Sequence, residues 1–180
     1  KLNKLGFKHL GKNVLISDLA SFYNPKNISI GDNTRIDDFC VLSAGADGIF
    51  IGNNIHLSVH VSILGKAKTT LEDFSAISVG TTIFTSNDDY SGNFMTNPTI
   101  PEGFKNVTSE EVHLEKHVLI GAGCVILPGV YINQGARVGA LSLVKKGHYQ
   151  EFSLYGGVPA RFIKKTSNQL IDLEKNYLKK

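Results

Sequence analysis

The sequence predicts an all-β protein, a parallel β-helix of hexapeptide repeats, on three observations. In "HVLIGAGCVILPGVYINQGARVGALSLV", His117 to Val144, aliphatic residues fall at Ile120, Ile126, Ile132, Val138 and Val144, six apart each time. The same frame runs through most of the chain. Helical amphipathicity needs apolar residues at steps of three and four, and a simple strand needs steps of two, so neither explains the period. A six-residue unit fits a short strand followed by a tight turn. Three units make one triangular coil of roughly 18 residues.

Taken in order, the chain opens with "KLNKLGFKHLGKN", which has no apolar signal core. "ISDLAS" at Ile16 is the first unit in frame. From Ile30 come "IGDNTR", "IDDFCV" and "LSAGAD". After a short step come "IGNNIH", "LSVHVS" and "ILGKAK", and after another "LEDFSA", "ISVGTT" and "IFTSND". The frame resumes at Leu114 and runs through "VGALSL". The first residue of each unit is aliphatic and points inward onto its counterpart one coil away. Gly or Asn at the corners tolerates the turn geometry.

The frame fails over residues 88–111, in "DDYSGNFMTNPTIPEGFKNVTSEE". A loop this long inside a compact solenoid is usually functional. Coils cannot bury their own apolar ends, so the solenoid needs caps. "KKTSNQLIDLEKNYLKK", from Lys164, supplies a C-terminal helix, with Leu170, Ile171, Leu173 and Leu178 as its stripe and Ser167 as its N-cap. The expected organisation is a β-helix domain over 1–163 and a helix over 164–180.

Composition limits the function classes. Apolar residues are 42%, charged residues 19% and the formal charge +3. That charge is too small to argue for nucleic acid, and no binding motif for it is present. No apolar run approaches the ~20 residues of a membrane span. Cys40 and Cys124 are two cysteines, far apart, and read as reduced and buried, which fits a cytoplasmic protein.

These repeats, with the closing segment "YGGVPARFIKK" at 155–165, resemble the hexapeptide-repeat acyltransferases. The likeness is strongest to the sugar O- and N-acetyltransferase branch that includes galactoside and maltose acetyltransferases. The resemblance implies a left-handed coil, acetyl-CoA as acyl donor, and a sugar hydroxyl or amine as acceptor. It also implies a homotrimer with active sites between subunits, each covered by an excursion loop.

Transfer from a thioester needs a base for the acceptor's proton, donors for the oxyanion, and positioning of two substrates. In the galactoside branch a catalytic histidine follows a unit like "IFTSND"; here that place reads "SNDDYSG". Either Asp88 or Asp89 therefore does the work, or a histidine from another coil does. His56 and His60 are the candidates that lie close to the unit launching the loop. Asn87, Asp89, Tyr90 and Ser58 are the substrate-binding candidates. By position in the repeats, Ala122 and Ala140 match the family's pantetheine contacts. Lys145 and Lys146 match contacts to the nucleotide end, and Arg161 and Lys164 are placed to meet CoA phosphates.

No metal motif appears in the sequence. Two alternatives stand beside the transferase. One is a metal-dependent, carbonic anhydrase-like hexapeptide protein, which needs His56, His60 and His113 or His117 to converge. The other is a noncatalytic solenoid.

Overall fold

A computed structural model of the chain describes residues 5–179. The chain winds as a three-faced solenoid. The first face stacks His9–Leu10, Ile28–Ile30, Ile49–Ile51, Thr69–Leu71, Val112–Leu114, Val130–Ile132 and Gly147–Tyr149, all parallel. The second carries Leu15–Ile16, Arg35–Ile36, His56–Leu57, Ala76–Ile77, Leu119–Ile120, Arg137–Val138 and Ser153–Gly156. The third runs from Ser21–Tyr23 through Val41–Ser43, Ser62–Leu64, Thr82–Phe84 and Val125–Ile126 to Leu143–Val144.

The six-residue frame is the register of these ladders. Ile30, Ile51, Leu71, Leu114 and Ile132 pair in one column of the first face. Ile36, Leu57, Ile77, Ile120 and Val138 form the column of the second. Leu42, Ile63, Ile83, Ile126 and Val144 form that of the third. All fifteen are buried, and together they are most of the core. Each apolar side chain touches like chains above and below, so neither neighbour leaves a void. Cys40 and Cys124 are free and buried, and burial pushes both thiols up from their ordinary range.

The corners turn through left-handed backbone. At the first corner, between the first and second faces, Asn33 and Asn54 adopt φ of 54° and 55°. Asparagine tolerates that region well. Phe74 (φ 62°) and His117 (φ 61°) occupy the same position one and two coils on, where a bulky ring such as that of Phe74 is disfavoured. Their rings stack at 5.0 Å between centroids, and Tyr177 of the C-terminal helix meets Phe74 edge-on at 5.9 Å. Packing by the helix thus offsets the local backbone cost.

The C-terminal helix occupies Leu170–Tyr177, not the whole segment from 164. Residues Arg161–Lys165 instead form a strand antiparallel to Ser153–Gly156. The reason is the open edge of the last coil, whose unpaired N–H and C=O groups a hairpin satisfies. Ser167 Oγ accepts a bond from Gln169 N at 3.1 Å, ahead of the helix, and is not its N-cap. The outer ends of the segments expected at 1–163 and 164–180 lie outside the described residues.

The excursion leaves after Thr82–Phe84. Ser86–Asn87 pairs antiparallel with Thr108–Ser109, so outgoing and returning chains are clamped together at the base. Among the described residues no helix is long and apolar enough to cross a membrane.

Candidate active site

Three places on the solenoid carry the candidate residues. The first is the outer surface of the second face. His56 projects there, directly below Ala76 and above Arg35. Its Nε2 lies 2.7 Å from Asp37 Oδ2, and Arg35 Nε donates to Asp37 Oδ1 at 2.6 Å. Burial pushes the Asp37 carboxyl up, but the bonds and charges of His56 and Arg35 outweigh it and leave it below the usual range. Ser58 is half-buried on the same edge, one coil below Ser78, and its backbone N bonds Ile77 O.

The second place is the corner between the second and third faces. His60 sits in it with φ 62°, its ring stacked on Phe39 at 4.9 Å, so the ring packs along the corner. Higher up, this corner is made of small residues: Gly80, Gly121, Ala122, Gly123, Gly139 and Ala140. Backbone bonds stack the coils there, Gly123 N to Val79 O at 2.9 Å and Leu141 N to Ala122 O at 2.8 Å. Ala122 and Ala140 therefore stand one above the other, as the repeat positions predict. Arg161 pairs with Gly156 just beyond them, with Lys164 opposite Leu154.

The third place is the corner between the third and first faces, where the excursion starts. Asn87, Asp88, Asn97, Lys66, Glu102 and Lys105 are among the residues lining a cavity of about 240 Å³. The Asp88 carboxylate makes no hydrogen bond or ion pair among the described residues. Asp89 is different: it accepts from Ser91 N at 2.7 Å, from Ser91 Oγ, and from Asn106 Nδ2 at 2.8 Å. Those bonds, led by the Ser91 hydroxyl, hold its carboxyl below the usual range. Asp89 thus shapes the loop, while Asp88 stays available. Tyr90 is 88% exposed at the tip. Lys146 and Lys145 are also at this corner, and Lys146 Nζ pairs with Glu110 Oε2 at 2.5 Å.

A single protomer does not bring all these together. His56, His60, Ala122, Ala140 and Arg161 share the second face and its far corner; Asn87, Asp88, Lys145 and Lys146 lie at the opposite edge of the third face. His113 is on the first face and His117 at the first corner, away from both. Among the described residues no group of three or more His, Cys, Asp or Glu stands close enough to hold a metal ion. Ser78 at the small-residue corner and Lys66, Glu102 and Lys105 at the cavity are further candidates that no sequence signal singles out. Nothing in the repeat marks Ser78 from the other small corner residues, and the other three meet only through the fold of the excursion.

No family model matches the chain. It is 49% identical over 174 residues to an Escherichia coli dTDP-4-amino-4,6-dideoxy-D-glucose acyltransferase, covering 97% of this chain and 90% of that one. It is 29% identical over 149 residues to an E. coli K12 putative lipopolysaccharide biosynthesis O-acetyl transferase, covering 80% and 71%. Among solved structures, AntD, an N-acyltransferase from Bacillus cereus in complex with dTDP and 3-hydroxybutyryl-CoA, superposes with a TM-score of 0.94. That match has 45% identity and covers 99% of this chain and 93% of AntD. With its stacked hexapeptide coils, small-residue corner and clamped excursion, the chain belongs to the hexapeptide-repeat, left-handed β-helix acyltransferases, enzymes that take their acyl group from a coenzyme A thioester.

Proposed function

We propose that this chain acylates the 4-amino group of a dTDP-linked 4-amino-4,6-dideoxy sugar. One observation carries the reading. The likeness to the E. coli enzyme and to AntD extends over nearly the entire chain, and AntD variants have been solved with dTDP-4-amino-4,6-dideoxyglucose and coenzyme A. The AntD complex with 3-hydroxybutyryl-CoA supports an acyl group longer than acetyl as a second donor. The solved AntD variants are changed at a serine or at an aspartate whose separation in sequence equals that of Ser78 and Asp88 here.

The chemistry follows from these groups. The amine attacks the thioester carbonyl carbon, an N–C bond forms, and the carbonyl oxygen takes up negative charge. The nitrogen of that intermediate carries a positive charge, so its proton passes readily to a neighbouring carboxylate. Asp88, with no partner of its own among the described residues, takes that role. The C–S bond then breaks, and the coenzyme A thiolate leaves and is protonated. Ser78 lies at the small-residue corner and offers a hydroxyl there. His56 faces the same surface, but Asp37 engages its Nε2.

Ser78 and Asp88 lie at opposite edges of the third face, so a site that uses both is built from two protomers. That supports a homotrimer with three shared sites. Exposed apolar chains on the second face and its far corner support it too: Leu15 at 66%, Phe39 at 48%, Val79 at 45% and Leu141 at 75%. A cytoplasmic location suits the donor and the two buried free cysteines.

The test is thiol release from acetyl-CoA and 3-hydroxybutyryl-CoA with the dTDP-4-amino sugar or its 4-hydroxy counterpart, the product weighed by mass spectrometry. An N-acyl product from the amino sugar is expected. Turnover of the 4-hydroxy sugar alone would replace N- by O-acylation.

A further inference from the structure

The excursion returns onto the coil beneath it through one carboxylate shared by two lysines. Glu102 and Lys105 belong to the short 3-10 turn Glu102–Phe104 and its end. Lys66 lies on the solenoid, where its backbone N bonds Ser86 Oγ at 2.8 Å. Glu102 Oε1 is 3.2 Å from Lys105 Nζ and 3.4 Å from Lys66 Nζ. The Lys105 side chain is only 7% exposed, whereas that of Glu102 is 73% exposed. A buried ammonium needs an anion beside it. Here its anion is an exposed, rotatable side chain at the rim of the 240 Å³ cavity that Asp88 also lines.

We infer that Lys66 and Lys105 hold the diphosphate of the sugar nucleotide, and that Glu102 occupies their ammonium groups only until the acceptor arrives. The inference rests on the nucleotide-sugar reading above. A diphosphate diester carries about two negative charges against the one of Glu102, so exchange improves the charge balance on the two lysines. The sugar's own geometry agrees. The diphosphate is attached at C-1, across the ring from C-4, and the lysines and Asp88 line the same cavity. A sugar seated between them directs its amine to the carboxylate and its phosphates to the ammonium pair.

Calorimetry on the full chain with dTDP, thymidine and coenzyme A tests this. Lys66→Ala and Lys105→Met are each expected to weaken dTDP about tenfold or more, the worth of one charge-assisted hydrogen bond, with thymidine and coenzyme A unaffected. Lys66 is exposed, so its variant keeps the test open if Lys105→Met fails to fold. Glu102→Gln is expected to tighten dTDP several-fold, because it removes the competing carboxylate. A purely structural ion pair predicts no gain. Unchanged dTDP affinity in both lysine variants, weaker dTDP binding in Glu102→Gln, or a loss confined to coenzyme A would overturn the assignment. The acceptor reading fails separately: wild-type protein that binds dTDP through these lysines but leaves the 4-amino sugar unacylated would sink that reading and keep this site.

Discussion

His117 Nε2 lies 2.7 Å from Glu174 Oε2, joining the first corner of the solenoid to the C-terminal helix across 57 residues of chain. A carboxylate can only accept, so this ring nitrogen carries the proton. Lys116 Nζ adds a second contact to Glu174 Oε1 at 3.4 Å, and Tyr177 OH donates to Asn54 Oδ1 at 3.2 Å. Polar groups therefore hold the helix as much as its apolar stripe does; Leu173 and Leu178 remain 62% and 64% exposed.

Acid should release the helix before it unfolds the coils. The His117 hydrogen bond, against some burial and aided by Lys116, holds Glu174 below its ordinary value of 4.5. A depressed carboxyl pKa contributes stability that is complete above the unfolded value and is lost as pH falls through the folded one. Amide exchange in 170–177 should therefore accelerate below about pH 4.5 while the core columns stay protected. Glu174→Gln should show the fast exchange already at neutral pH. Helix and coils opening together in acid would refute independent docking.

Asp88 and His56 are separable as the base. Asp88→Asn keeps the side-chain shape and removes the proton acceptor, so kcat should fall about 100-fold or more, with KM for acyl-CoA held. His56→Ala should cost less than about tenfold, since Asp37 already engages the ring nitrogen nearest it. The reverse pattern, with Asp88→Asn active and His56→Ala dead, would move the base to the second face.

The small-residue corner should distinguish folding from cofactor binding. A Cβ at Gly121 would come within 2.5 Å of the Ala140 backbone N, so Gly121→Ala must displace a coil and lower the Tm. Ala140 is exposed at the corner, so Ala140→Leu has room outward and should leave the Tm unchanged. If pantetheine lies along this corner, Ala140→Leu raises KM for acyl-CoA about tenfold or more and spares dTDP binding. Unchanged KM for acyl-CoA would place the cofactor elsewhere.

The solenoid was legible because its period is a property of neighbouring residues. Ile120, Ile126 and Ile132 announce the three faces in turn, and the positions read as inward are the ladder columns. The strand Arg161–Lys165 was not legible: its antiparallel partner breaks the repeat, and the Leu and Ile spacing that follows drew the helix too far forward. The site was legible only in part. The stacking of Ala122 under Ala140 follows from repeat position, and the missing histidine in "SNDDYSG" singles out Asp88 as a candidate. Lys66 and Lys105 meet Glu102 only because the excursion folds back on the previous coil, and the bonds of Asp89 to Ser91 and Asn106 depend on that same fold. His117 pairs with Glu174 through a helix whose docking no local pattern encodes.

Shared sites make a prediction that a one-protomer site cannot. Asp88 and Ala140 lie at opposite edges of the third face, so under the proposed shared-site reading each site draws Asp88 from one protomer and the cofactor corner from its neighbour. Asp88→Asn and Ala140→Leu are each expected to be strongly impaired alone. Co-expressed as mixed trimers, an Ala140→Leu protomer supplies a normal Asp88 to the intact corner of an Asp88→Asn protomer. Random assembly makes about a quarter of the sites whole, so activity should return to about a quarter of wild type. Each purified trimer kept from exchanging subunits should stay impaired when the two are merely combined in the assay. No recovery on co-expression, with mixed trimers verified by mass, would mean that Asp88 and the corner act within one protomer.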